Sequence, residues 1–362
     1  MISKVKIIGA GSIGNHLANA SRRMGWSVTM CDIDPSALNR TRNDIYPSRY
    51  GTWDDAITLS SADSVEQSGF DLICVGTPPD THMGLALAAV AEKPAALLIE
   101  KPLCGPGLEQ AETLRARGAE AGIRVFTGYD HVVGEAAEQA STKTDLGTLT
   151  TIDVEFREYW GGIFAAHPWL AGPWETYLGF AQKGGGASGE HSHAINLWQH
   201  FAHAHGAGRV TSVTARLDWV KDDRIDYDRL CIMTLETENG LIGRCVQDVV
   251  TQPPRKWARM QFEGGAVDWS CGAAPGVDRV VFAENGADTQ TIDISKTRPD
   301  DFIRELTHID ACLDHGTQSP ISLDRGLDTM LVIAAAHMSD KTGRRIVIDY
   351  SKGCRPEALS VA

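Results

Sequence analysis

Residues 7–18 read "IIGAGSIGNHLA": a β-type apolar run ends in Gly9, Gly11 and Gly14, spaced as G-x-G-x-x-G, and a helical pattern begins there. That spacing permits a tight turn, close approach of the backbone to a pyrophosphate and tight packing of helix on strand, while the helix N-terminus favours an anion. The motif is weak by itself, and its context strengthens it. "SVTMCDID" (27–34) supplies a second strand ending in Asp32, 18 residues after Gly14, near the spacing at which an acid bonds the adenosine ribose hydroxyls. A carboxylate there repels a 2′-phosphate and no arginine follows at once, so NAD is expected over NADP.

Working outward, "VKIIGA", "SVTMCDI", "DLICVGT", "AALLIE" and "RVFTGY" are short β-rich runs alternating with helical patterns up to about residue 130. Such alternation means βαβ units and a doubly wound parallel sheet. Beyond residue 145 longer amphipathic strand candidates follow in series, from "LTTIDVEFREYW" to "VDRVVFAE", and two helical segments close the chain. An open, largely antiparallel sheet is expected for that half. The fold class is therefore α/β, with an N-terminal Rossmann domain over 1–127, a substrate-binding and oligomerisation domain over 128–350 and a C-terminal tail over 351–362.

The 362 residues exceed the roughly 250–300 at which one core stops growing, which agrees with two domains. A net charge of -13 argues against nucleic acid or an anionic membrane surface, since both select clustered Lys and Arg. Eight cysteines without a CxxC pair read as reduced thiols of a cytoplasmic protein. "MISKVKIIGAG" leaves no room for a signal peptide, and the longest apolar run is broken by Glu92, Lys93 and Pro94.

"LLIEKPLC" (97–104) raises a different question, because a buried strand runs straight into Glu100, Lys101 and Pro102. In an open α/β sheet, ligands sit outside the carboxyl ends of the strands, so the ammonium of Lys101 is delivered to that crevice. There it could hold a substrate oxygen and stabilise developing alkoxide charge. Pro102 fixes the turn, through a cis bond in one possible arrangement.

Taken together, "GAGSIG", the acid at Asp32, "GTPPDTH" (76–82), "EKPL", "GYD" (128–130), "GGGASGEHSHAINLW" (184–198) and "AAAHMSDKTGRRI" (334–346) resemble the Gfo/Idh/MocA oxidoreductases, the glucose-fructose oxidoreductase and inositol dehydrogenase family. The resemblance spans nearly the whole chain. It implies a Rossmann domain followed by an α/β domain with a large open sheet, and NAD(P)-dependent hydride transfer on a sugar, polyol or related carbonyl compound. It also implies that the EKP lysine and a later histidine stand at the reacting carbon.

That histidine corresponds to His193, with His191 as its rival. Glu190, His193, Leu197 and His200 fall on one helical face by three and four spacing, so Glu190 could orient His193. The family commonly has an aspartate four residues before the histidine, where this chain has Gly189; Asn196 stands where an aspartate often follows; and Asp130, His131 and Val132 depart from the pattern after "GY". The catalytic set is thus Lys101, His193 and Glu190. The cofactor set is Gly9, Gly11, Ser12, Ile13, Gly14, Asp32, Ile33, Thr77, Pro78, His82, Glu100 and Lys101. The aromatic stretch "REYWGGIFAAHPWLAGPWETYLG" (157–179) could pack on a sugar ring. Substrate candidates are Lys101, Arg157, Tyr159, Trp160, His167, Trp169, Tyr177, His193 and Asn196.

His191, His193, His200, His203 and His205 lie close in sequence, but on one helix they point in several directions and no complementary Asp or Cys set is evident, so no metal is expected. The expected function is NAD-dependent hydride transfer at a secondary alcohol or ketone of a sugar, cyclitol or sugar acid, in a cytoplasmic homodimer or homotetramer. The alternatives are a non-catalytic NAD-binding regulator of the same fold and hydride transfer on a non-sugar substrate.

Overall fold

A computed structural model describes residues 1–142, 145–165 and 167–362. The first half contains β1 (Lys4–Ile8), α1 (Ser12–Arg23), β2 (Ser27–Asp32), α2 (Pro35–Arg40), α3 (Tyr46–Tyr50), β3 (Ile57–Ser61), β4 (Leu72–Val75), α4 (Pro79–Ala91), β5 (Ala96–Ile99), α5 (Ala111–Glu120) and β6 (Arg124–Thr127). Its six strands lie in the order β3-β2-β1-β4-β5-β6 and all pair in parallel. The order reverses between β1 and β4, which places a ligand crevice at their carboxyl ends. Every residue of β4 and β5 is buried, as expected of strands covered on both faces. The five sequence-expected strands are present; β3, a short and half-polar edge strand, was not among them.

The second half contains α6 (Glu135–Thr142), β7 (Leu149–Arg157), α7 (Trp160–Ala165), α8 (Gly186–Glu190), α9 (His193–Ala204), β8 (Val210–Lys221), β9 (Asp226–Thr237), β10 (Ile242–Asp248), β11 (Arg255–Phe262), β12 (Gly265–Ala274), β13 (Val277–Glu284), β14 (Gln290–Ser295), α10 (Arg298–His315), α11 (Leu323–Thr342), β15 (Ile346–Ile348) and β16 (Leu359–Val361). Ten strands form one sheet, antiparallel except where β10 pairs with β7. Helices α9 and α11 pack on it, and Trp198 of α9, fully buried, donates its indole N–H to the Ile152 carbonyl at 3.0 Å. The alternation of buried and exposed residues along β9 leaves the opposite face exposed. Cross-strand pairs cover part of that face, among them Arg229 with Asp218, Arg259 with Asp268 and Arg279 with Asp293.

Helix α10 packs back on α1, stacking Phe302 on His16 with ring centroids 4.9 Å apart. Within the stretch expected as a C-terminal tail, Leu359–Val361 pair with β15 at the edge of the large sheet. All eight cysteines are free thiols, seven of them buried. Among the described residues, no helix is long and apolar enough to cross a membrane.

Candidate active site

The glycine turn shows three different requirements. Gly9 has φ +108°, and a Cβ at Gly14 would stand 2.0 Å from the Gly9 carbonyl oxygen, so α1 can meet β1 only without a side chain at position 14. Gly11 has nothing within 4 Å of where its Cβ would be. This open space in front of the N-terminus of α1 fits a pyrophosphate rather than any packing need of the chain. Asp32 ends β2 and accepts from the Ala10 N–H at 2.7 Å and the Asp34 N–H at 2.9 Å, which fixes its carboxylate beside the turn. Arg49 donates to the backbone oxygen of Ser12 at 2.9 Å and to its hydroxyl at 2.8 Å. Ile13 packs partly against the core, and Ile33 is 86% exposed at the crevice edge.

Thr77 and Pro78 lie between β4 and α4, with the Thr77 hydroxyl 2.7 Å from that of Thr81. His82, expected as a cofactor contact, is instead fully buried, its ring nitrogens 2.7 Å from the Thr77 carbonyl and 3.0 Å from that of Pro102. It ties the two loops that edge the crevice to each other. Glu100 is likewise sealed, packed so tightly under Gly128 that a Cβ there would meet its carboxylate; burial pushes the acid up to about 7 against the pull of Lys101. The Lys101–Pro102 bond is cis.

Lys101 leaves the sheet at the carboxyl end of β5 and meets the second half of the chain. Its ammonium lies 3.2 Å from the Glu190 carboxylate and donates to the Glu190 backbone carbonyl at 3.0 Å. Tyr177 donates its hydroxyl to the same carboxylate at 2.9 Å. Burial drives Glu190 up, but Lys101, His191 and Tyr177 outweigh it and hold the acid below the usual carboxylate range.

The expectation that Glu190 orients His193 on one helical face is corrected by the chain path. Helix α8 ends at Glu190 and α9 starts at His193, so the two residues sit on separate helices and Glu190 turns to Lys101. The carboxylate beside His193 belongs to Asp130, from the single turn Asp130–Val133, with its oxygen 3.8 Å from Nδ1. His131 of that turn lies 3.9 Å from the same oxygen. Gly189, where the resembled family commonly has an aspartate, has no room for a side chain: a Cβ there would stand 2.1 Å from the Gly184 carbonyl oxygen.

Donor atoms of Asp130, His131 and His193 all lie within 4.8 Å of one another. The helical spacing did not show this, because two of the three come from the turn after "GY". Burial drives His193 well below the ordinary imidazole value, helped by His131, Lys101, Lys256 and His191; burial likewise takes His131 down to about 3 and His191 to about 4. Burial thus disfavours the charged form of all three rings.

The aromatic stretch divides. Tyr177 reaches the centre through Glu190. Trp160 is buried with Leu178, Ala187 and Val249. Tyr159 and Trp169 are exposed, and His167 bonds the Ile163 carbonyl at 2.7 Å beside Trp169. Arg157 is paired with Asp248 at 2.6 Å. Asn196 does not join Lys101; it is buried, bonds Thr329 and lines a different cleft. Sequence reasoning missed Lys256, which pairs with Glu158 at 3.0 Å and whose charge reaches His191 and His193. Nothing in "RKWARMQF" separates it from any strand lysine.

The glycine turn, the acid after β2 and a lysine at a carboxyl strand end define a nucleotide-dependent oxidoreductase built on a Rossmann sheet. A model of the oxidoreductase family with an NAD-binding Rossmann fold matches residues 3–129, and one of the GFO/IDH/MocA C-terminal domain matches 135–267. The chain belongs to the Gfo/Idh/MocA family of NAD-binding oxidoreductases.

Similar folds include an oxidoreductase from Agrobacterium radiobacter in complex with NAD+, L-tartaric acid and magnesium, 19% identical with TM-score 0.75, covering 96% of this chain and 98% of that one. Levoglucosan dehydrogenase in complex with NADH and levoglucosan is 16% identical with TM-score 0.77, covering 95% and 99%. The WlbA dehydrogenase from Bordetella pertussis in complex with NADH and UDP-GlcNAcA is 19% identical with TM-score 0.71, covering 96% and 99%. A sequence search among curated proteins gives no match.

Proposed function

We propose that this chain is an NAD-dependent dehydrogenase acting on a secondary alcohol of a sugar, cyclitol or sugar acid, or on the matching ketone. The observation that carries this reading is the Lys101 ammonium at the crevice, held by Glu190 and Tyr177, in the same buried centre as a neutral His193. Bound NAD supplies the hydride acceptor. Lys101 donates to the substrate oxygen and stabilises the charge that develops as its proton leaves. His193 takes that proton, with the Asp130 carboxylate 3.8 Å from Nδ1 favouring the charged form of the ring by its charge rather than through a hydrogen bond. Gly9, Gly11 and Gly14 cradle the pyrophosphate and Asp32 bonds the adenosine ribose. Tyr159 and Trp169, apolar and exposed, are surfaces on which a sugar ring can pack.

Asp130 also bears on the regulator alternative. The missing family aspartate at Gly189 would favour lost catalysis, but another carboxylate stands beside the histidine. Replacing His193 and His191 separately by Ala tests the assignment: His193→Ala abolishes turnover while NAD binding persists. If only His191→Ala did so, His191 would be the base and the reading of His193 would fail.

A further inference from the structure

Apart from the Lys101 crevice, a second cleft of about 1060 Å³ opens between α9, the start of α11, α5 and residues 350–355, and neither Lys101 nor His193 lines it. One face of α9 supplies Asn196, Gln199, His200 and His203 to it at three and four spacing. The wall is cationic in a chain of net charge -13: five arginines and a lysine face it, against Glu112, Asp324 and Asp328. Two of those arginines have local partners, Arg209 with Asp328 and Arg115 with Glu112. Three have no carboxylate at ion-pair distance among the described residues. Arg325 touches the ring of His203, which burial and Arg325 push down to about 4, and feels Asp328 and Asp324 only at longer range. Arg124 donates to the backbone carbonyls of Cys312 and Thr317, and Arg355 lies in the field of Glu112 without a close ion pair among the described residues.

A second observation concerns the floor. Gln199, 4% exposed, accepts from the Thr329 hydroxyl at 2.9 Å but leaves its Nε2 donor without a partner. Asn196, 3% exposed, donates to the same hydroxyl at 3.2 Å and leaves its Oδ1 acceptor unmet. Buried amides in this state gain from any ligand that supplies a complementary hydroxyl. Helix α11 is 20 residues long, and residues of its first turn line the cleft, Asp324 and Arg325 among them, adding a positive helix end to the guanidinium groups that lack a close carboxylate.

We propose that this cleft is a second ligand site for a small phosphate monoester of a polyhydroxylated compound. The phosphate is held by Arg325 and the start of α11, in the field of Arg124 and Arg355. Hydroxyls of the ligand meet the free donor of Gln199 and the free acceptor of Asn196. The assignment also gives a role to the face of α9 that the Lys101 centre does not use.

The test is titration calorimetry of ribose 5-phosphate, with ribose as the neutral comparison, into the full chain saturated with NAD so that the probe cannot report the glycine turn. Saturable binding of the phosphate ester, none of ribose, weakening with added salt and at least tenfold loss in Arg325→Ala and Gln199→Ala is the expected result. Arg355→Ala, a change at an exposed side chain, keeps the fold and still weakens binding. Absence of binding to the wild-type chain, or binding unchanged in Arg325→Ala and Arg355→Ala, overturns the proposal. A chain that bound the ester but turned over no alcohol would leave this site standing and remove the dehydrogenase reading.

Discussion

The Lys101 ammonium sits 3.2 Å from the Glu190 carboxylate, an ion pair that joins the end of β5 to the end of α8. The two halves of the chain therefore meet at the charge that would hold the substrate oxygen. Lys101→Ala is expected to lower kcat by roughly 10²–10³, the loss typical of one preorganised donor at a developing oxyanion, with NAD affinity little changed. Steady-state rates and NAD titration on the purified variant check both halves of that statement.

Glu190→Gln removes the negative charge but keeps an acceptor for Tyr177. Charge-assisted hydrogen bonds contribute about 1.5–3 kcal/mol, so a fall in kcat of roughly ten- to a hundredfold is expected as Lys101 loses its restraint. If the rate stayed at wild type, Lys101 would be positioned by the Glu190 backbone carbonyl alone.

The pH dependence follows from His193. Its conjugate acid is destabilised by burial and by neighbouring positive charge, so the folded value lies below 6.5. A base with a lowered value stays unprotonated as the pH falls through 6.5, and alcohol oxidation should lose activity only below that point. Asp130→Asn removes a neighbouring negative charge, which moves the acid limb lower still and lowers the plateau rate. A limb at or above 6.5 in kcat/KM would contradict the assignment.

Two glycines separate packing from binding. Gly11→Ala adds a methyl to open space, so the thermal midpoint should stay at wild type while NAD affinity falls. Gly189→Ala drives a Cβ to 2.1 Å from the Gly184 carbonyl oxygen, and destabilisation of roughly 1–3 kcal/mol is expected from overpacking. Denaturant unfolding and NAD titration of both variants distinguish the two effects.

Asp130, His131 and His193 are close enough to invite a metal, yet the proposed mechanism gives the electrophilic and basic duties to Lys101 and His193 and needs none. Prolonged dialysis against a chelator should leave turnover unchanged. Loss of activity restored by a divalent cation would instead assign those three residues as ligands.

Much of this was legible from the chain because the signals are local. The parallel strands, the glycine turn, Asp32 and the delivery of Lys101 to the crevice all follow from residues within one strand and its following turn. Short edge strands such as β3 and β16 carry too few apolar residues to stand out. The pairing at the centre was less accessible, because Glu190, Asp130 and Lys256 are brought there by three unrelated elements. Three and four spacing puts Glu190 and His193 on one face only along an unbroken helix, and here the helix is interrupted at His191 and Ser192 between α8 and α9. Asn196 shows the same limit: its position in the family pattern does not say that its amide faces Thr329.

The most direct test is nicotinamide absorbance over time, with NAD and NADP in parallel, against a panel of sugars, inositols and sugar acids, run beside Lys101→Ala. Turnover with NAD on at least one of them, absent in the variant, is the expected result. Measurable NAD binding with no turnover across the panel, or turnover that survives in Lys101→Ala, would contradict it.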